Sequence, residues 1–372
     1  MADSFSQAGR RLHQLKDSLV GKTATTIPFD PDSTSFPTRK NLPKIVGAPD
    51  EAAWVWGKDD NIGRLNLLTP TRVKAAAAEV RTGEMARLDL PLDVPLQPAF
   101  NRQRFEHRII DIHDSVAFDD IYHLNTQSGT QWDGFRHFAH LPTKTFYNNT
   151  HAADIVGSEA NHKCSIHHWS THGFSGRAVL LDYRSYADTQ GIKYDTATAH
   201  AISYDDLVAC GKHQGLDIRP AAQGGDIKIG DILLIRFGWT VDYYRRTPEE
   251  RERLALRGSD GATLGSGHDD PASTAQWAGL KQEEAIKDWL HDCYFAAVGG
   301  DAPTFERWPT PESYYLHEYI LALWGMPLGE MLDLEKASEL AKKNRRWTFF
   351  FSSSPANCPG GVGSHANATA IF

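Results

Sequence analysis

The sequence predicts an α/β or α+β fold, because strand-like and helix-like segments are intermixed along its 372 residues. Four runs rich in Val, Ile, Leu and Phe predict strands at 177–183, 231–239, 294–298 and 347–352. Helices are expected between them, at 204–213, 248–256 and 280–292. Spacing alone does not decide the order of the strands.

Three of the expected helices begin at recognisable N-caps. Thr69 precedes Pro70, and proline is favoured at the first position of a helix that here extends toward Gly83. Ser203 and Thr247 hold the equivalent position before two other helices, where a hydroxyl can accept a hydrogen bond from a free backbone N–H.

The composition predicts one large folded domain with an N-terminal extension. Hydrophobic residues make up 41% of the chain, which is enough for a sizeable core. Residues 1–50 are polar and contain several prolines, so we expect an arm there and a catalytic domain over 51–372. Residues 258–273 are loop by composition, which is typical of a lid, a subunit contact or a disordered segment.

The charge and cysteine patterns exclude several classes of function. The net charge of −8 gives no electrostatic reason to bind phosphates, so nucleic acid is not an expected partner. The four cysteines are far apart and form no CxxC pair, which argues against a disulfide framework or zinc knuckle. No apolar stretch has the length of a signal peptide or a membrane span, so a cytoplasmic protein without a membrane partner is expected.

The densest group of polar side chains lies between Asn125 and His137. Gln127, Gln131, Asp133 and His137 are spaced by four, two and four residues. Alternate residues of an extended segment share a face, so the first three of these can project together. The alternative is a turn-rich loop whose amides cap neighbouring strands, which residue types alone favour.

A second group lies far downstream and contains His317 and Glu330. A histidine beside an apolar run is more often a hydrogen-bonded core residue than a ligand. Glu330 has an equally simple interpretation as an exposed carboxylate at the start of a helix. Taken separately, these two residues indicate no chemistry.

Read as Q-S-G-T-Q-W-D-G-F-R-H, residues 127–137 are similar to the motif H-x-G-T-H-x-D-x-P-x-H. The chain thereby resembles the cyclase family that includes bacterial kynurenine formamidase and isatin hydrolase. The QSGTQWDG form is similar to a fungal or actinobacterial branch of that family. Gln127 and Gln131 replace two histidines, and Phe135 replaces the proline. Further family-like stretches are 56–70, 176–182, 230–239, 299–303 and 360–364.

The resemblance implies a swivelling β/β/α fold with a central β-barrel-like sheet and flanking helices, in a homodimer or homotetramer. It also implies that Asp133, His317 and Glu330 are metal ligands, with Gln131 as a further ligand and Gln127 as a weak one. Because glutamine offers oxygen instead of nitrogen, we expect one Mn²⁺ or Mg²⁺ ion more readily than Zn²⁺. A site without metal is the alternative.

By the same resemblance, the expected activity is hydrolysis of a small cyclic or aromatic carbonyl compound. The substrate would be a lactone, a cyclic amide or a formamide, and a divalent metal would activate the water. His137 would act as acid/base, with Asp133 also catalytic. The alternatives are a metal-independent lyase, cyclase or isomerase, and a non-catalytic binding protein. A ring-shaped substrate would suit four aromatic residues, each of which has core packing as its alternative: Trp56, Trp132, Phe135 and Tyr315.

Overall fold

The structure is a computed structural model that describes residues 28–258 and 274–372. A nine-stranded sheet curls into a half-barrel and is flanked by helices, which confirms the predicted cyclase-like α/β fold. The strands are β1 (Met85–Arg87), β2 (Glu106–Asp111), β3 (Phe118–His123), β4 (Gln131–Asp133), β5 (Phe174–Leu181), β6 (Ala201–Ile202), β7 (Ile232–Ile235), β8 (Gly279–Leu280), β9 (Ala297–Gly300), β10 (Leu328–Glu330), β11 (Thr348–Ser353), β12 (Gly363–Ser364) and β13 (Ala368–Ile371).

The strand order of the large sheet is β1-β13-β11-β5-β7-β9-β10-β4-β12. Its centre is parallel, from β5 through β7 and β9 to β10. The outer strands pair antiparallel, including β4 with β10. Every residue of β7 and β9 is buried, as expected for parallel strands that are covered on both faces.

The helices surround this sheet, and the three predicted N-caps are confirmed. Thr69, Ser203 and Thr247 each accept a hydrogen bond from the backbone N–H three residues later. The α-helices are α1 (Pro70–Ala76), α2 (Ala152–Ile155), α3 (His167–His172), α4 (Tyr183–Gln190), α5 (Tyr204–Gln214), α6 (Trp239–Arg245), α7 (Pro248–Ala255), α8 (Glu284–Asp292) and α9 (Glu335–Asn344). Short 3₁₀ turns occupy Arg39–Asn41, Gly63–Leu67, Ala77–Glu79, Tyr147–Asn149 and Ala221–Gln223, and a π-helix occupies Glu318–Leu323.

Several predicted elements have different bounds in the structure, and two of these differences have a clear physical reason. The strand expected at 231–239 ends at Ile235, because Gly238 adopts φ +93° and starts helix α6. The helix expected from residue 280 begins at Glu284, because Gly279 and Leu280 pair with β6 instead. Both differences come from pairing or turn geometry that hydrophobicity does not report.

Residues 28–50 pack against the domain that follows them. Arg39 makes ion pairs with Glu51, Glu284 and Asp288. The hydroxyl of Tyr294 donates to the carbonyl of Pro37 at 2.7 Å. The boundary between an arm and a catalytic domain stays a prediction, since residues 1–27 and most of the predicted loop 258–273 lie outside the described residues.

Strands β2 and β3 form a separate ribbon that pairs only with itself among the described strands. Most of its residues are exposed. The loop that enters this ribbon, residues 94–105, lies next to the polar motif through Arg102. None of the helices in the described ranges is long and apolar enough to cross a lipid bilayer.

Candidate active site

Part of the polar motif, which is the segment from Gln127 to His137, forms strand β4 of the large sheet. Antiparallel pairing with β10 puts Gln131 opposite Glu330 and Asp133 opposite Leu328. Because side chains alternate along a strand, Gln131 and Asp133 share one face, and Trp132 lies on the other. All three residues are fully buried. The strand interpretation of the motif is therefore the right one for residues 131–133.

Two glutamine amides connect the polar side chains of this face. The Nε2 atom of Gln127 donates to Oδ1 of Asp133 and to Nδ1 of His137, at 2.7 Å in both cases. The Nε2 atom of Gln131 donates to Oδ1 of Asp133 at 3.1 Å and to Oε2 of Glu330 at 3.0 Å. The amides thus hold two carboxylates and one imidazole in fixed positions.

His317 completes the cluster from the opposite side. Its Nε2 lies 3.1 Å from Oε1 of Glu330, and its Nδ1 lies 2.6 Å from Oε1 of Glu306. A π-helix begins at the next residue, and π-helical turns are frequent at functional sites. The structure brings all six polar residues predicted from the motif and the downstream segment into one cluster, named here the polar cluster: Gln127, Gln131, Asp133, His137, His317 and Glu330.

The ionisable groups of the polar cluster are strongly coupled. Burial alone would lower the pKa of His317, but its hydrogen bonds to Glu306 and Glu330 outweigh that effect and raise the pKa to about 10. Burial, together with the neighbouring Asp133 carboxylate, raises the pKa of Glu330. The site therefore holds a carboxylate that resists ionisation next to an imidazole that retains its proton.

His137 has the opposite character. Burial lowers its pKa. The negative charge of Asp133 acts to raise this pKa, whereas the positive charges of Arg102 and His317 act to lower it. Because Gln127 donates to Nδ1, the neutral ring carries its proton on Nε2. That atom lies 3.9 Å from Oδ2 of Asp133, so a water or substrate atom can be within hydrogen-bond distance of both.

The residues present fit a single divalent cation. Asp133, His317 and Glu330 each offer a ligand atom, and these atoms all lie within 4.8 Å of one another. Oε1 of Gln131 is buried without a hydrogen-bond partner, which a bound cation would supply. The amide of Gln127 donates to its neighbours, so this predicted weak ligand is turned toward hydrogen bonding.

The comparisons with known proteins agree with this fold. The Cyclase family model matches residues 26–307, about three quarters of the chain. The chain belongs to the cyclase family. A crystal structure described as a novel cyclase matches with 26% identity and a TM-score of 0.70, covering 86% of this chain and 99% of that one. Isatin hydrolase A from Ralstonia solanacearum matches with 18% identity and a TM-score of 0.51, over 81% and 97% of the two chains. Among curated proteins, none matches the chain. The fungal or actinobacterial branch stays a prediction.

Two of the four aromatic residues predicted to contact substrate lie in the core of this cyclase-family protein instead. Trp132 stacks on Phe174, with ring centroids 4.6 Å apart, because strand alternation turns it away from Asp133. Phe135 packs between Tyr147 and Trp169 and is fully buried. Their predicted role in substrate binding was wrong, and the core alternative holds for both.

The other two aromatic residues are placed differently from each other. Trp56 packs against Phe29 and Phe36, so its ring stabilises residues 28–50 against the domain. Tyr315 lies close to the polar cluster through Phe138. The ring centroids of Tyr315 and Phe138 are 5.7 Å apart, and those of Phe138 and His317 are 5.4 Å apart. Phe138, the residue after His137, is a neighbour of the site that the sequence interpretation missed.

Two charged residues next to the polar cluster were also missed. Glu306 is fully buried and accepts hydrogen bonds from the backbone N–H groups of Leu316 and His317 and from Gln282 Nε2, besides its contact with the His317 ring. Arg102 donates from Nη1 to the carbonyl of Gln127 at 2.5 Å. Both belong to segments without a motif, so only the fold reveals their position.

A cavity of about 400 Å³ adjoins the backbone of the motif. It is lined by residues 124–126 and 128–130 together with Asp89, Asp333 and His365, and not by the side chains of the polar cluster. Choosing the active site by cavity volume alone would thus place it in this cavity and not at the polar cluster. The coupled hydrogen bonds and pKa shifts favour the polar cluster, since such perturbed groups concentrate where chemistry takes place.

Proposed function

We propose that this cyclase-family protein is a hydrolase acting on a small cyclic or aromatic carbonyl compound, with the polar cluster as its active site. The bond broken would be the C–N bond of a cyclic amide or formamide, or the C–O bond of a lactone. The observation that carries the proposal is the relation of His137 and Asp133. A neutral imidazole with its proton on Nε2 lies 3.9 Å from a buried carboxylate oxygen without a hydrogen-bond partner.

The proton transfers follow from that relation. Oδ2 of Asp133 accepts a proton from water as the water oxygen adds to the carbonyl carbon. When the bond to the carbonyl carbon breaks, Nε2–H of His137 gives its proton to the leaving nitrogen or oxygen, and Asp133 passes the proton taken from water to Nε2 in the same step. The imidazole thus stays neutral, and Asp133 is again a carboxylate. Gln127 keeps the imidazole in the required orientation through its contact with Nδ1.

A divalent ion would be held by Asp133, His317 and Glu330, with the buried Oε1 of Gln131 as a further oxygen donor. When bound, such an ion supplies polarisation of a carbonyl oxygen or of water. Three oxygen donors and one nitrogen favour Mn²⁺ or Mg²⁺ over Zn²⁺. Glu306 fixes the ring of His317 through Nδ1, so that Nε2 is directed at the other two ligands.

A second candidate is a metal-independent lyase, cyclase or isomerase. One observation favours it: the protonated His317 between Glu306 and Glu330 already balances carboxylate charge without an ion. The amide of Gln131 likewise donates to both Asp133 and Glu330. In this case His137 and Asp133 would move protons on the substrate itself.

The test is acid release from a panel of lactones, cyclic anilides and formanilides, whose arylamine products do not take up the released proton. The release is recorded by pH-stat titration with Mn²⁺, with Mg²⁺ and with chelator. We expect turnover of at least one class, and we expect the Asp133→Asn variant to lose it while its melting temperature stays near that of the wild type. Acid release that persists in chelator would mean that hydrolysis needs no metal, whereas conversion of a substrate without acid release would favour the second candidate. No acid release from any class by the metal-loaded protein would contradict the hydrolase.

A further inference from the structure

A row of four aromatic rings borders the polar cluster. The ring centroid of Phe138 lies 5.4 Å from that of His317 and 5.7 Å from that of Tyr315. Tyr315 contacts Trp308 at 5.1 Å, and Trp308 contacts Phe100 edge-on at 5.6 Å. Phe100, Phe138 and Trp308 are each only partly buried, so they keep surface for another flat molecule. We call this the aromatic row.

Arg102 lies at the far end of the aromatic row. Its guanidinium carbon is 5.3 Å from the centroid of the Phe100 ring, and its Nη1 donates to the carbonyl of Gln127 at 2.5 Å. These two contacts fix the guanidinium between the aromatic row and the loop that carries Gln127. Arg102 is thus held in place without being buried.

The charge of Arg102 is not neutralised by an ion pair. Within residues 28–258 and 274–372, no carboxylate lies within salt-bridge distance of it. Arg104, two residues later in the same loop, pairs with Glu252 at 2.8 Å. The guanidinium also acts on the polar cluster, because its charge contributes to lowering the pKa of His137 and opposes the rise in the pKa of Glu330.

We propose that Arg102 and the aromatic row bind substrates in which a planar ring carries a carboxylate or a comparable anionic group. The ring would lie against Phe100, Trp308 and Phe138, and the anion would pair with the guanidinium of Arg102. A guanidinium suits this role because its planar N–H groups match the two oxygens of a carboxylate. The proposal rests on the proposed function, and it adds the charge of the substrate, which neither the family nor the motif supplies.

A simpler role for Arg102 is to offset the negative charge of Asp133 and Glu330. The two roles differ in what they predict for an added ligand. A guanidinium that only balances charge inside the protein has no preference between an anionic ligand and a neutral ligand of the same shape. A guanidinium that binds substrate strongly prefers the anionic ligand.

Benzoate and benzamide are matched probes of this difference, since they share size and shape and differ in charge. We expect calorimetry to give benzoate about 10- to 100-fold tighter binding than benzamide, as a charge-assisted hydrogen bond would provide. The Arg102→Ala variant should lose this preference, and Arg102→Lys should keep part of it. The Arg104→Ala variant is the matched control and should bind both probes as the wild type does.

Equal binding of the two probes by the wild type would overturn the proposal, as would an Arg102→Ala variant that keeps the preference for benzoate. The measurement needs no turnover, so it is independent of the hydrolase assay. A preference for benzoate that depends on Arg102 supports the anion site even where no acid is released from the substrate panel. Acid release from neutral substrates alone, with no preference for benzoate, would support the hydrolase and overturn the anion site.

Discussion

The amide nitrogen of Gln127 lies 2.7 Å from Nδ1 of His137. Gln127 occupies a position at which the family motif has a histidine. An N–H donor at this distance leaves the proton of the neutral imidazole on Nε2, the atom that faces Asp133. The replacement of histidine by glutamine therefore changes what residue 127 does. It orients His137, the proposed acid/base residue, and it removes a nitrogen donor from the proposed set of metal ligands.

The Gln127→Leu substitution tests this relationship. Leucine removes the N–H donor at similar size, so we expect kcat to fall about 3- to 10-fold, the equivalent of one hydrogen bond. In a double-mutant cycle, adding His137→Ala to Gln127→Leu should cost less than His137→Ala costs in the wild type. The exposed Gln223→Leu variant is the control. Strictly additive losses would show that Gln127 does not act through His137.

Metal content gives a second prediction. Native mass spectrometry of the untagged protein should find one divalent ion per chain, more readily Mn²⁺ or Mg²⁺ than Zn²⁺. His317→Ala should lose that ion, and the exposed His213→Ala should keep it. Restoring histidine at Gln127 and Gln131 should raise zinc affinity, because it adds two nitrogen donors. Tight stoichiometric zinc in the unmodified protein, or two ions per chain, would contradict this prediction.

Glu306 should matter for stability more than its place in the sequence suggests. Its carboxylate is fully buried and accepts four hydrogen bonds, two of them from His317. Removing one partner of a buried charge pair costs about 3–5 kcal/mol, so urea denaturation of Glu306→Ala should show a loss of that order in the free energy of unfolding. The exposed Glu312→Ala should change it little. A loss below about 1 kcal/mol would mean that the His317 contact is not maintained in solution.

The pair of Asp182 and Arg236 predicts a specific loss of stability in acid. Burial by itself would raise the pKa of Asp182, but Arg236, Ser338 and Lys342 outweigh it and lower the pKa to about 2. The unfolded chain then binds more protons than the folded one between about pH 4 and pH 2. The contribution of Asp182 is complete above pH 4 and is lost as the pH falls toward 2.

Denaturant titrations between pH 7 and about pH 2 measure this contribution. It amounts to about 2 kcal/mol at neutral pH, and Asp182→Asn should remove most of its pH dependence. Asp217→Asn is the control, because the Asp217–Arg219 pair is exposed and solvent screens it. An Asp182→Asn variant that loses stability in acid as steeply as the wild type would rule out the linkage.

Local features of the fold were predictable from the sequence, and non-local ones were not. Thr69, Ser203 and Thr247 each cap a helix through a backbone N–H three residues away, so a few neighbouring residues contain the whole interaction. The pairing of Gln131 with Glu330 joins strands about 200 residues apart. No property of either segment alone predicts that register.

The site shows the same division. Asp133 and His137 were found because they belong to one motif, whereas Glu306 and Arg102 belong to segments that only the folded sheet and loops bring together. Trp132 was wrongly predicted to contact substrate. Strand alternation between Gln131 and Asp133 already indicated that its side chain lies on the opposite face. The assembly as a homodimer or homotetramer stays a prediction.

Substitution of His137 tests the proposed chemistry most directly. On the substrate class that the wild type turns over, His137→Ala and His137→Gln should each lower kcat by about 10²–10⁴-fold, because neither side chain can exchange a proton near neutral pH. Their melting temperatures should stay close to that of the wild type. If His137 only hydrogen-bonds its surroundings, the glutamine variant should keep its activity and the alanine variant should melt at lower temperature. Activity that survives both substitutions would contradict a proton-transfer role for His137, with or without a metal.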